Sequence, residues 1–394
     1  MNFKHFAVAA FAATAIFASC EKGPSAHLTI PVDESQMKEI FKQYTENTVI
    51  PTYKKLADAS VQLEAACNAI WEKKQAGTLT DADMEKAGEA WKDARQYWER
   101  SEAFLLGPAD QMGIDPHIDS WPLSQPELET LLNDETIMAQ IDADYIGQNY
   151  ADGALCGFHS LEYALFAEGK VKKADDISMP HAKYAWAVAG DLKLQCFALE
   201  GAWAGLDHIA ADRKALLVSK EYFKAYDDTK LNYKNHFINA GDTDPVYKSY
   251  MEAFIDAVKG DSGCWGIANE VGTAKIADPM AGEGDPLKVE SWFSYNSITD
   301  FQNNIRGIRM VIMDGGKNSI YNFIKSTNAE LADELKEAID FTIGEDGTTG
   351  IGAMPYPFRN NLKAQENLDA IDACGHLATV LEKVATYMNE TYTE

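Results

Sequence analysis

The chain has 394 residues, 46% of them hydrophobic, enough for one large core or two ordinary ones. Acidic residues outnumber basic ones 61 to 35, a formal net charge of −26. That balance argues against nucleic acid or an anionic lipid surface as a direct partner, because both require basic patches.

Lys4 and His5 precede an apolar run from Phe6 to Phe17, too short to span a bilayer and laid out like a secretory signal. Phe17-Ala18-Ser19-Cys20 resembles a bacterial lipobox, so residues 1–20 are expected to be a lipoprotein signal ending at a lipidated Cys20. Residues 21–33, with Gly23, Pro24, Ser25 and Pro31, read as a tether. Of the later cysteines, Cys67, Cys156, Cys196 and Cys374 lie in apolar helical patterns and are expected to be buried. With Cys264 they make an odd set without CxxC spacing, which names no disulfide.

Nearly everything after the tether carries a helical period. Ser35 to about Gln75 is one amphipathic stretch that Pro51 should kink or split. Thr80, with Asp83 three residues on, opens a helix running to about Leu105. Its apolar stripe is Met84, Ala87, Trp91, Ala94, Trp98 and Leu105. Residues 107–125, punctuated by prolines, read as non-helical. Helices follow at 126–133, 135–142, 153–167 and 180–205. Further helices are expected at 219–226, 246–272, 297–313, 318–326, 329–343 and 363–388.

No alternating run is long enough to build a sheet, so the class is all-α, with bundle packing. A hinge at Ala210-Ala211-Asp212-Arg213 divides the chain into helical halves at 34–210 and 211–394. A faint echo of Cys156-Gly157-Phe158-His159 in Cys374-Gly375-His376 hints at an internal duplication.

The chemistry centres on Gly157-Phe158-His159-Ser160-Leu161-Glu162, set in a stretch that is apolar or small nearly all round. Such a helix is normally buried, and burying an imidazole and a carboxylate is costly unless each finds a partner, a proton or a metal. Three residues apart, His159 and Glu162 share a helix face and form half of a metal site. The bland alternative is a buried His–Glu hydrogen bond. Gly157 favours the functional reading, because it lets another element approach.

Three further groups accompany it. Trp91, Arg95, Trp98 and Glu102 recur on one helix face, although Arg95 with Glu99 could be an ordinary surface ion pair. The loop Asp115-Pro116-His117-Ile118-Asp119-Ser120-Trp121-Pro122 carries carboxylates and a tryptophan. Asp300 and Asn304 lie four apart in Ser297–Ile308, where Gly307 permits close helix contact. His117, His181, His208, His236 and His376 lack paired ligand spacing and read as ordinary histidines.

Together these segments resemble the imelysin family, also filed as peptidase family M75, whose signature Gly-x-His-x-x-Glu is matched by Gly157, His159 and Glu162. Arg95, Glu102-Ala103-Phe104, Gly107, Asp119-x-Trp121-Pro122 and Asp300–Gly307 match in the same order. The resemblance implies two bundle-like helical halves with the motif facing the cleft between them, in an envelope lipoprotein tied to iron uptake. The favoured reading puts a metal ion, iron ahead of zinc, on His159 and Glu162, with Glu102 and Asp119 as candidates for completing its shell. Arg95, Trp121, Asp300 and Asn304 would orient those ligands or line the site. The expected partners are the metal, the membrane through the lipid anchor and other iron-uptake components, with no nucleic acid.

The rival reading is a zinc metallopeptidase with Glu102 as general base, although the chain has no His-Glu-x-x-His motif. A third is an organic ligand, such as a siderophore or acidic polymer, contacting Arg95.

Overall fold

The structure is a computed structural model that describes residues 30–151 and 155–393. The signal and lipidation reading at residues 1–20 lies outside the described residues. The fold is all-α; the described strands are two short pairs. One joins β1 (Ile30–Pro31) in parallel to β4 (Tyr392–Thr393), and the other is the antiparallel hairpin of β2 (Phe166–Ala167) and β3 (Lys170–Val171).

α1 (Glu34–Gln43) passes through a π-helical turn, Tyr44–Val49, into α2 (Ile50–Ala76). Pro51 therefore does not split the stretch. It sits in the first turn of α2, where its missing N–H is not needed, and the wider turn before it takes up the misfit. α2 ends at Gly77 in the left-handed conformation, and Thr80 with Asp83 forms a capping box for α3 (Asp81–Ser101).

The segment expected to be non-helical holds two short helices, α4 (Pro108–Gln111) and α5 (Ile114–Asp119). Pro108 and Pro116 fall in first turns, so they start helices rather than break them. α6 (Gln125–Leu132), α7 (Glu135–Gln140) and α8 (Ala143–Asn149) follow. The motif helix α9 is shorter than its apolar run, Gly157–Leu165, because Cys156 is extended and Phe166 enters the β2–β3 hairpin. α10 (Met179–Ala204) is next, then α11 (Ala211–Ser219), which begins within the segment expected to be a hinge. Residues 222–225 form only a tight 3₁₀ turn.

In the second half come α12 (Lys234–Ile238), α13 (Tyr250–Lys259) and α14 (Cys264–Glu270). The single helix expected at 246–272 is thus two, separated at Gly260 and Gly263, where a Cβ would come within 2.5 Å of the Asp256 carbonyl oxygen. α14 runs on through a second π-helical turn, Val271–Ala277, into α15 (Asp278–Met280). α16 (Ser297–Met313), α17 (Ile320–Thr327), α18 (Ala329–Ile343) and α19 (Gln365–Thr391) complete the chain.

α2 packs between α3 and α10, with α9 laid on α3 and α10. α14, α16, α18 and α19 form a second packed group, joined to the first where α16 lies along α3. Trp91 pins α9 to α3: it is fully buried and donates from Nε1 to the Phe158 carbonyl at 2.9 Å. Truncating such a side chain to alanine costs about 3–5 kcal/mol. Cys67, Cys156, Cys196, Cys264 and Cys374 are all buried. Among the described residues no helix is long and apolar enough to cross a membrane.

Candidate metal centre

The site is assembled on α3 and the 3₁₀ turn that follows it (Glu102–Phe104), where Arg95, Glu99 and Glu102 follow one another at four- and three-residue steps. Arg95 is 0% exposed, which is affordable only with full charge pairing. Its guanidinium donates to Asp119, pairs with Glu99, and reaches Glu290 Oε1 at 2.8 Å. Phe158, the variable residue inside Gly-x-His, lies beneath it, 5.2 Å from guanidinium carbon to ring centre. Trp98 Nε1 donates to the other oxygen of Asp119 at 2.6 Å. Arg95 with Glu99 is therefore a buried pair, not the surface pair the spacing allowed.

Gly157 explains how the motif meets this cluster. Its φ is +77°, and a Cβ there would lie 2.1 Å from the Ile118 carbonyl oxygen. Only glycine lets the start of α9 touch the end of α5, the contact that brings His159 beside Asp119. His159 Nε2 is 3.2 Å from Asp119 Oδ1, 3.9 Å from Glu290 Oε1 and 3.5 Å from Arg95 Nη2. On the far side of the ring, Nδ1 is 3.2 Å from Glu162 Oε2. Glu162 Oε1 in turn accepts from the backbone N–H and the hydroxyl of Ser294, both at 2.7 Å. The signature glutamate thus stands behind the imidazole and fixes its orientation.

The second half closes the site. Gly307, whose Cβ would lie 2.2 Å from the Arg100 carbonyl oxygen, lets α16 press against α3. Asn304 then donates to Glu99 Oε2 at 2.6 Å and to Glu102 Oε2 at 3.0 Å. Asp300 Oδ2 lies 3.6 Å from Arg95 Nε. Lys275, in the π-helical turn, reaches Glu102 Oε2 at 2.8 Å and Glu290 Oε1 at 3.0 Å.

Six buried carboxylates, those of Glu99, Glu102, Asp119, Glu162, Glu290 and Asp300, thus face two permanent cations, Arg95 and Lys275, and one imidazole. Negative charge outnumbers positive charge, and the carboxylates shift accordingly. Burial pushes Glu99 up against the pull of Arg95 and Lys275; burial, then the charge of Glu99, pushes Glu102 up. Burial also lifts Asp300 to about 7. Asp119 goes the other way, because the Arg95 charge and His159 outweigh its desolvation. His159 is raised to about 9, since hydrogen bonds to Asp119 and Glu162 overcome burial and the nearby guanidinium. At neutral pH its ring donates from both nitrogens.

The residues present fit a cation. Asp119, His159 and Glu290 offer donor atoms within 4.8 Å of one another, as do Glu99, Glu102, Asp119 and Glu290. Glu290 Oε2 and Asp300 Oδ2 are buried acceptors without a hydrogen-bond donor, so acceptors exceed donors here. Nitrogen and carboxylate oxygen donors suit iron, zinc or manganese. A cavity of about 290 Å³ reaches the cluster from outside, lined by Glu102, Asp115, Asp119, Trp121, Glu270 and Lys275 among others.

His159, Glu162, Glu102, Asp119, Arg95, Asp300 and Asn304 converge in this way, whereas Trp121 lines the cavity mouth without entering the buried network. Reasoning from sequence missed Glu290, Lys275 and Ser294. Glu290 and Ser294 lie in Val289-Glu290-Ser291-Trp292-Phe293-Ser294, between the helices expected at 246–272 and 297–313, and its apolar residues Val289, Trp292 and Phe293 were the available signal. Apart from this centre, His117 pairs with Asp191 at 2.7 Å, with Cys156 beside them.

An all-helical fold built round a buried histidine–carboxylate cluster, closed by one arginine and one lysine, is the class of protein these features define. The chain belongs to the imelysin family (Peptidase M75), matching it over residues 49–384. It is 27% identical over 335 residues to iron-regulated protein A of Synechococcus elongatus, covering 83% of this chain and 79% of that one. A Parabacteroides distasonis crystal structure, of a protein assigned as an iron-regulated protein A precursor, superposes with a TM-score of 0.76 at 26% identity. The superposition covers 91% of this chain and 96% of that one. An imelysin-like protein from Psychrobacter arcticum shares the fold at a TM-score of 0.64 and 14% identity, over 92% of this chain and 98% of its own.

Proposed function

We propose that this chain is a cell-envelope protein of iron acquisition that binds a metal ion at the buried cluster, tethered to the membrane by a lipid on Cys20. The observation that carries the reading is the crowd of buried carboxylates around His159 and Arg95, in which Asp119 Oδ1 and Glu290 Oε1 approach His159 Nε2 while Glu290 Oε2 and Asp300 Oδ2 have no donor. His159 through Nε2, Asp119 and Glu290 would hold the ion, with Glu102 within reach. Glu162 and Ser294 would orient the imidazole, while Arg95 and Asn304 hold the carboxylates. Support for iron comes from the relatives, of which two carry the name iron-regulated protein A.

Calorimetric titration of metal-free protein with ferrous iron or zinc tests it. His159→Ala is expected to weaken binding at least tenfold; unchanged affinity would remove His159 from the site. Zinc-dependent peptide hydrolysis is the second reading, favoured by one observation, the exposure of Glu102 to the cavity. Metal-dependent cleavage of a peptide library that vanishes in Glu162→Gln would establish it.

A further inference from the structure

The four-carboxylate group of Glu99, Glu102, Asp119 and Glu290 already surrounds a positive charge. Lys275 Nζ lies 2.8 Å from Glu102 Oε2, 3.0 Å from Glu290 Oε1 and 3.9 Å from Glu99 Oε2. It stands where oxygens of four carboxylates gather within 4.8 Å of one another, a grouping able to hold a metal ion that shares Asp119 and Glu290 with the His159 group. The residue is 1% exposed, yet it forms part of the wall of the 290 Å³ cavity. Asp115 and Glu270 line the same cavity, so the way in is acidic. Lys275 is carried by the π-helical turn Val271–Ala277, not by a regular α-helix. Such turns interrupt α-helices and are frequent at functional sites.

Resting on the metal reading above, we propose that Lys275 is a built-in counter-ion that an incoming divalent or trivalent cation displaces through this acidic cavity. The exchange favours charge. A divalent ion gives the carboxylates two positive charges for the one they lose, and the released ammonium regains water or pairs with Asp115 and Glu270. A monovalent ion supplies no more charge than the lysine and competes with a group tethered at high effective concentration. Lys275 therefore selects for valence, keeping sodium and potassium out without closing the site to iron or zinc. It is a positioning residue, absent from the final ligand set.

Two measurements on the full chain test this, with zinc ion as probe. Lys275→Met is expected to bind zinc at least tenfold more tightly than the wild type in calorimetry. In the wild-type protein, which avoids any failure of the variant to fold, zinc is expected to raise acylation of Lys275 by a water-soluble amine reagent, read by peptide mass. Zinc binding to the wild type, with neither tighter binding in Lys275→Met nor a gain in acylation, would overturn the role of Lys275 alone. Zinc binding by neither protein would overturn the metal reading on which it rests.

Discussion

His159 Nε2 and Asp119 Oδ1 face each other at 3.2 Å, although 40 residues separate them in the chain. The contact exists because the backbone of Gly157 lies against that of Ile118. It joins the signature motif to the proline-rich segment, and the rest of the cluster is arranged around it.

Gly157→Ala therefore strikes both stability and site. The left-handed φ and the 2.1 Å approach to Ile118 leave no room for a methyl group, and the contact is to backbone that cannot rotate away. Denaturant unfolding should show a loss of about 2–4 kcal/mol, and metal affinity should fall with it. A neutral substitution would mean that α9 does not dock as described.

The pH dependence follows from His159. Its pKa in the folded protein is raised to about 9 from an ordinary 6.5, so the folded state binds this proton more tightly than the unfolded state. The stabilisation is fully present below about 6.5 and is lost as pH rises through about 9, amounting to about 3 kcal/mol. Asp300 and Asp115, raised to about 7, lose their protons mainly below that upper range. Melting of metal-free protein from pH 6.5 to 9.5 should decline, and His159→Gln should flatten the decline. Metal affinity should run the other way, rising with pH until the imidazole is free of its proton.

Arg95 is the structural keystone of the charges. Arg95→Met leaves Asp119, Glu99 and Glu290 short of their shared cation in a dry interior. Breaking a buried pair in this way costs about 3–5 kcal/mol, measurable by urea unfolding at pH 7. Acid should partly restore the variant by protonating the stranded carboxylates. A lysine in its place should not, because one ammonium cannot span the three carboxylates that the planar fork reaches.

Glu162 can be separated from the ligands by a conservative change. Glu162→Gln keeps its shape but removes the charge behind Nδ1, so the imidazole should titrate lower while metal binding weakens about 10- to 100-fold. Proton NMR of the ring and calorimetry on the same samples read the two effects together. Abolished binding with an unchanged titration would instead mark Glu162 as a ligand.

Much of this was legible in the sequence, and the gaps have physical causes. Helix 297–313 and helix 329–343 were placed at their observed ends because amphipathic periods and Gly or Ser boundaries agree there. Pro51, Pro108 and Pro116 misled because a proline stops a helix interior but suits a first turn, and periodicity alone does not say which applies. Within the site, His159 and Glu162 stood out because polar groups in an apolar helix demand partners. Glu290 and Lys275 did not, since each is a single charge in a segment without a clear period. Their meaning comes from chain crossings of 195 residues to Arg95 and 173 residues to Glu102.

The most direct test of the account is a crystal soaked in ferrous iron or zinc, with anomalous scattering recorded at both absorption edges. The account predicts one strong peak within coordination distance of His159 Nε2 and the carboxylates of Asp119 and Glu290. An absent peak, or a peak bound only at surface carboxylates with Arg95 and His159 undisturbed, would contradict it.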